Sequence, residues 1–244
     1  MKSLLWIVFL IFVGQTLGSI VGLIKKPEKT ILYGSLAFAA SMMLGISFFQ
    51  LIPESLKISS IFLVIISFII GALIMWIVDK ILPHINPELM KKEKPSVKKS
   101  VIMLVVGIAL HNIPEGLAIG VGFALSRNLG IMIAIGIAIQ DMPENIATIV
   151  PLYAVTKNRV KSFNILMTTV LFEVFGFILG CYFLKGASLK LLGASLALAA
   201  GFMTYISVEE LIPAAQIKKY PKIGTISLIL GILCVLLTNF FSGL

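Results

Sequence analysis

Two six-residue segments hold most of the chemistry this chain can offer: HNIPEG at residues 111–116 and QDMPEN at residues 140–145. Each lies inside a long apolar run. On a helix, residues four apart share a face, so His111 pairs with Glu115 and Gln140 pairs with Glu144. Asn112 and Asp141 hold the next position in each motif, turned by about 100°. Glu173 stands alone midway along another apolar run, TTVLFEVFG. Two such helices side by side let His111, Glu115, Gln140 and Glu144 converge on one cation. Asn112, Asp141, Glu144 and Glu173 converge on a second beside it, with Glu144 bridging. The four carboxylates carry −4 when ionised, and two divalent cations carry +4. Without metal, carboxylates at such depth are costly, by at least about 2.5 kcal/mol each on insertion scales.

The elements that must position these groups are transmembrane helices. The 244 residues are 59% hydrophobic and only 13% charged, with a mean hydropathy of +1.07. That composition cannot clothe a soluble domain in polar surface. A span of a ~30 Å hydrocarbon core needs about 20 apolar residues. Eight runs qualify, at about 3–24, 31–52, 58–79, 100–125, 130–155, 162–184, 190–213 and 223–241. Each is too long for a strand and lacks alternation, so all read as helices. The connections are short apart from a Lys-rich one at 80–99, and the whole of 1–244 reads as a single membrane domain.

Charge sets the orientation. The odd-numbered connections hold 15 of the 20 Lys and Arg residues, and the even connections and N-terminus hold the other 5. The positive-inside rule places the odd connections in the cytoplasm and both termini outside. The formal charge of +9 therefore reflects topology in a cell membrane and not nucleic-acid binding. Residues 1–24 also have the composition of a signal peptide, but the heavier charge follows the segment, which favours a retained span. The linker 80–99, with Pro83, Pro87 and Pro95, reads as a mobile cytoplasmic segment, and His84 within it as solvated. Cys181 and Cys234 read as buried small hydrophobes.

Internal symmetry is hinted at. Helix 2 ends in FFQLIPES and helix 7 in VEELIPAA. Small residues recur every fourth position, at Ala37, Ser41 and Gly45 and at Gly193, Ala197 and Gly201, which allows close helix approach in lipid. A 3-2-3 bundle follows, with helices 1–3 and 6–8 as an inverted repeat around a central pair. Pro114 and Pro143 leave the carbonyls of Leu110 and Ile139 without their usual donors and bend each helix beside the cluster.

An imidazole with carboxylates and amides, and no thiolate, suits Zn²⁺, Fe²⁺, Mn²⁺ or Co²⁺ over Cu(I). The weak amide ligands suit a site that releases its ion. Alternative uses of the same groups are an intramembrane metal-dependent hydrolase and a proton relay without metal.

Taken together, HNIPEG on a fourth helix, QDMPEN on a fifth, a Glu on a sixth and a Lys-rich third connection resemble the ZIP (Zrt-, Irt-like) family of divalent metal transporters. The QDMPE form is similar to its prokaryotic GufA-like branch. The resemblance implies a transporter rather than an enzyme, carrying Zn²⁺ into the cytosol as substrate with no cofactor. It assigns His111, Glu115, Gln140 and Glu144 to one metal and Asn112, Asp141, Glu144 and Glu173 to its neighbour. It adds Met43 of helix 2 as a contact at the transport site, and Glu209 and Glu210 of helix 7 as exit-path ligands. It also implies a homodimer and a rocking or elevator-like motion. Gln140 and Asp141 stand where many members carry His and Glu, which implies a broader range including Cd²⁺, Fe²⁺ or Mn²⁺.

Overall fold

Hydrocarbon offers no water to satisfy a backbone, so a spanning chain must close its hydrogen bonds within helices or a barrel. The computed structural model describes residues 2–24, 27–81 and 97–242, and among these there is no strand. His84 and most of the Lys-rich linker lie outside the described residues. Among the described residues, eight helices are long and apolar enough to cross a membrane. They are α1 (Lys2–Ile24), α2 (Lys29–Ile58), α3 (Ile61–Ile81) and α4 (Val97–Leu125). The second half comprises α5 (Arg127–Thr156), α6 (Arg159–Phe183), α7 (Leu189–Ala214) and α8 (Pro221–Ser242). Side-chain caps start three of them. Ser126 accepts from the Leu129 amide at 3.1 Å, Asn158 from Lys161 at 2.9 Å and Ser188 from Leu191 at 3.3 Å.

One expectation needs correction. The second helix continues to Ile58, beyond the apolar run that ends at 52. It does so through a π-helical turn at Ser47–Leu51, and α7 has the matching turn at Ser207–Leu211. Each turn precedes an Ile-Pro pair, with Pro53 in α2 and Pro213 in α7. A proline ring collides with the carbonyl four residues back, here Phe49 or Glu209. The wider turn accommodates that collision, so the helix carries on. The helices α4 and α5 continue through Pro114 and Pro143.

The inverted repeat is more extensive than the two quoted stretches. Residues of α2–α3 recur 160 positions later in α7–α8: Met43 and Met203, Ser47 and Ser207, Leu51-Ile52-Pro53 and Leu211-Ile212-Pro213, Ser67 and Ser227, Gly71 and Gly231. Local geometry repeats with the sequence. Ser47 Oγ donates to the Met43 carbonyl at 2.8 Å, and Ser207 Oγ donates to the Met203 carbonyl at 2.7 Å. Packing obeys the same exchange. α1 lies chiefly on α5 as α6 lies on α4, and α3 lies on α7 as α8 lies on α2.

Close approach needs missing side chains at the crossings. A Cβ added to Gly116 of α4 would sit 1.9 Å from the Glu173 carbonyl, and one on Gly176 of α6 would sit 2.3 Å from the Ile113 carbonyl. Backbone contact of this kind is how helices pack where apolar burial gives no preference for protein over lipid. α3 and α8 lie at the periphery. Phe62, Ile65 and Ile69 of α3 and Ile229, Leu233 and Leu237 of α8 are exposed, as lipid-facing side chains should be.

Candidate metal site

The α4–α6 and α1–α5 crossings bring the polar residues of four helices into the interior. His111, Asn112 and Glu115 of α4, Gln140, Asp141 and Glu144 of α5, and Glu173 of α6 are all buried. Every described Lys and Arg side chain, by contrast, is exposed. The carboxylates therefore have no buried Lys or Arg beside them among the described side chains.

Several contacts cross between helices. Gln140 Nε2 of α5 donates to Glu115 Oε1 of α4 at 2.5 Å. Asn112 Nδ2 donates to the Thr169 carbonyl of α6 at 2.9 Å. His111 Nδ1 lies 2.8 Å from the Gly107 carbonyl and donates to it, which leaves Nε2 as the nitrogen able to bind a cation. That Nε2 lies 3.2 Å from Glu210 Oε2 in the π-helical turn of α7. Glu210 thus joins the cluster at its α4 edge, while Glu209 is exposed on the same turn. Met43 is wholly buried, in the apolar cluster that also contains Ile46, Ile133 and Ile137.

The expected convergence is incomplete. Among the described residues no three His, Cys, Asp or Glu side chains approach closely enough to hold one ion. Cys181 and Cys234 are free thiols. The pairs Glu115–Gln140 and His111–Glu210 are present, whereas Asn112 has turned to a backbone carbonyl. What remains is a set of buried oxygens with no hydrogen-bond partner: Gln140 Oε1, Asp141 Oδ2, Glu144 Oε2 and Glu173 Oε1. All are acceptors. An orphaned buried acceptor costs about 1–3 kcal/mol, and a divalent cation is a partner that satisfies several together. The hard oxygen and imidazole donors fit such an ion.

Sequence reasoning missed one member. Gln15 of α1, 1% exposed, donates Nε2 to Glu173 Oε2, and its own Oε1 is also without a partner. A signal for it exists in the chain. Gly18 and Gly22 of α1 precede Gly176 and Gly180 of α6 by 158 positions, and the same spacing matches Gln15 to Glu173.

Comparison with known proteins agrees with this architecture. The family model described as ZIP zinc transporter matches residues 89–239. The zinc transporter ZupT of Enterobacter sp. (strain 638) is 37% identical over 210 residues, covering 82% of this chain and 81% of that protein. The ZupT proteins of Salmonella arizonae and Salmonella heidelberg are each 37% identical over 213 residues, covering 84% of this chain and 82% of theirs. An eight-helix bundle whose polar interior is built by HNIPEG and QDMPEN, matched along most of its length by these relatives, belongs to the ZIP family of zinc transporters.

Proposed function

We propose that this chain moves Zn²⁺ and similar divalent cations, with Cd²⁺, Fe²⁺ and Mn²⁺ as further candidates, across a cell membrane into the cytosol. The ion is substrate, and no cofactor takes part. The observation that carries this reading is the group of buried, unpartnered oxygens on α4, α5 and α6, set in a helical bundle whose described Lys and Arg side chains are all exposed. The names of the ZupT relatives supply the class of cargo.

In this reading His111, Glu115, Gln140 and Glu144 hold one ion, and Asn112, Asp141, Glu144 and Glu173 hold a neighbour. Small rotations of side chains now paired with each other, such as Gln140 with Glu115, release the oxygens for metal. Met43 borders the site from α2. The His111–Glu210 contact, at 3.2 Å, marks the next step for an ion leaving the cluster, with Glu209 beyond it at the surface. By charge placement that end faces the cytosol. Release is favoured by the mixture of carboxylates with weak amide ligands. Driving force comes from the ion gradient, the membrane potential or proton exchange. A homodimer is the assembly expected from the family.

The test is Zn²⁺ influx into proteoliposomes under an inward gradient, with wild type, His111→Ala and Glu144→Ala. Saturable wild-type influx that falls at least about tenfold in both variants supports the reading. Zinc binding without influx, together with metal-dependent peptide hydrolysis, would replace it with the hydrolase.

A further inference from the structure

α1 contributes nothing to the two polar motifs and has no charged residue between Leu4 and Ile24. Yet it is pressed against the stretch of α5 that bears Gln140 and Asp141. A Cβ on Gly14 would lie 2.3 Å from the Ala138 carbonyl, and one on Gly18 would lie 2.3 Å from the Met142 carbonyl. Gln15 sits between these two contacts. Its amide nitrogen donates to Glu173 Oε2, while its own Oε1 and the other oxygen of Glu173 are both buried with no partner.

We infer that Gln15 is a ligand of the transported cation, its side-chain oxygen completing the position held by Asn112, Asp141, Glu144 and Glu173. The amide of Gln15 offers both a donor and an acceptor. Here the donor end orients Glu173 and the acceptor end is left over, 1% exposed. Chemistry also explains the residue type. A neutral oxygen adds a ligand without adding charge, so four carboxylates still balance two divalent ions. Glu173 is the repeat-related counterpart of Gln15, so the pair joins the two halves of the inverted repeat through one acid and one amide. A second acid there would strengthen binding and hinder release.

This role rests on the reading of the cluster as a cation site, and the experiment separates the two. Zn²⁺ influx is measured as a function of Zn²⁺ concentration for wild type, Gln15→Leu and Gln15→Glu, alongside equilibrium Zn²⁺ binding to the purified proteins. Changes around a metal site typically cost about 10–100-fold in affinity. Gln15→Leu should raise both the half-saturating and the dissociation constants by that factor. Gln15→Glu, which keeps an oxygen in place, should lower the half-saturating concentration and the maximal rate together. A structural role predicts no such opposed shift. Wild-type constants in both variants overturn the inference while leaving the transport reading intact. If Gln15→Leu does not fold, Gln15→Glu decides alone: unchanged constants overturn the inference. Wild type that neither binds nor passes Zn²⁺ overturns the cation site and the Gln15 role together.

Discussion

Individual oxygens make the strongest case for a cation. Gln15, Gln140, Asp141, Glu144 and Glu173 each keep a buried acceptor with nothing to accept from. Donors could have been supplied by serine or threonine, as Ser47 and Ser207 do elsewhere for carbonyls of their own helices. In the proposed reading, a bound ion supplies the partner that these oxygens lack. Zn²⁺ should therefore stabilise the purified protein, by about 2.7 kcal/mol at a hundredfold excess over Kd. Thermal unfolding in detergent checks this, and Glu144→Ala should remove most of the shift, since its carboxylate is expected to serve both ions. The contact between His111 and Glu210 is tested by its own variant. His111 Nδ1 is tied to the Gly107 carbonyl at 2.8 Å, so Nε2 alone faces Glu210. Glu210→Ala should slow Zn²⁺ influx several-fold while leaving equilibrium binding at the Glu144 cluster close to wild type. Equal loss of both would place Glu210 in the binding site itself.

Helices position these groups through bare backbone contacts. At the α4–α6 crossing the Gly176 site faces the Ile113 carbonyl, two residues from Glu115, and the Gly116 site faces the Glu173 carbonyl. A side chain at Gly176 must push against backbone, which cannot rotate away as a flexible side chain can. Gly176→Val should cost about 1–3 kcal/mol or more, read as a lower midpoint of thermal unfolding, and should weaken Zn²⁺ binding by separating Glu173 from α4. At this scale much was legible in sequence, because eight apolar runs with charged punctuation leave few alternatives to helices. The extension of α2 to Ile58 was not. Pro53, Glu54 and Lys57 read as a loop, and only the π-helical turn at Ser47–Leu51 lets the helix pass the proline. The motif residues declare themselves by polarity within apolar runs. Gln15 does not, since one amide in a span is commonly structural glue, and its meaning rests on its contact with Glu173 across 158 residues.

The whole molecule is two copies of a three-helix unit in opposite senses around α4 and α5. The exchange of packing partners and the residues repeated 160 positions apart both express that arrangement. The repeat is faint in FFQLIPES and VEELIPAA alone; its full extent shows when α2–α3 and α7–α8 are aligned without a gap. The proposed orientation follows from the asymmetry of Lys and Arg. In a chain with Cys181 and Cys234 replaced by Ser, Lys157→Cys between α5 and α6 should react only from the cytoplasmic side. Lys185→Cys between α6 and α7 should react only from outside. Labelling of intact cells with a membrane-impermeant maleimide distinguishes them, and the reverse pattern would invert the proposed direction of transport. The buried oxygens of α4, α5 and α6 are proposed to receive the transported ion. Crystals of wild type and Glu144→Ala grown with Zn²⁺ test it by anomalous diffraction at the zinc edge. Zinc bound among His111, Glu115, Asp141, Glu144 and Glu173 in wild type, and lost or weakened in the variant, is the predicted result. Zinc found only at the protein surface in both, with the buried cluster unchanged, would contradict it.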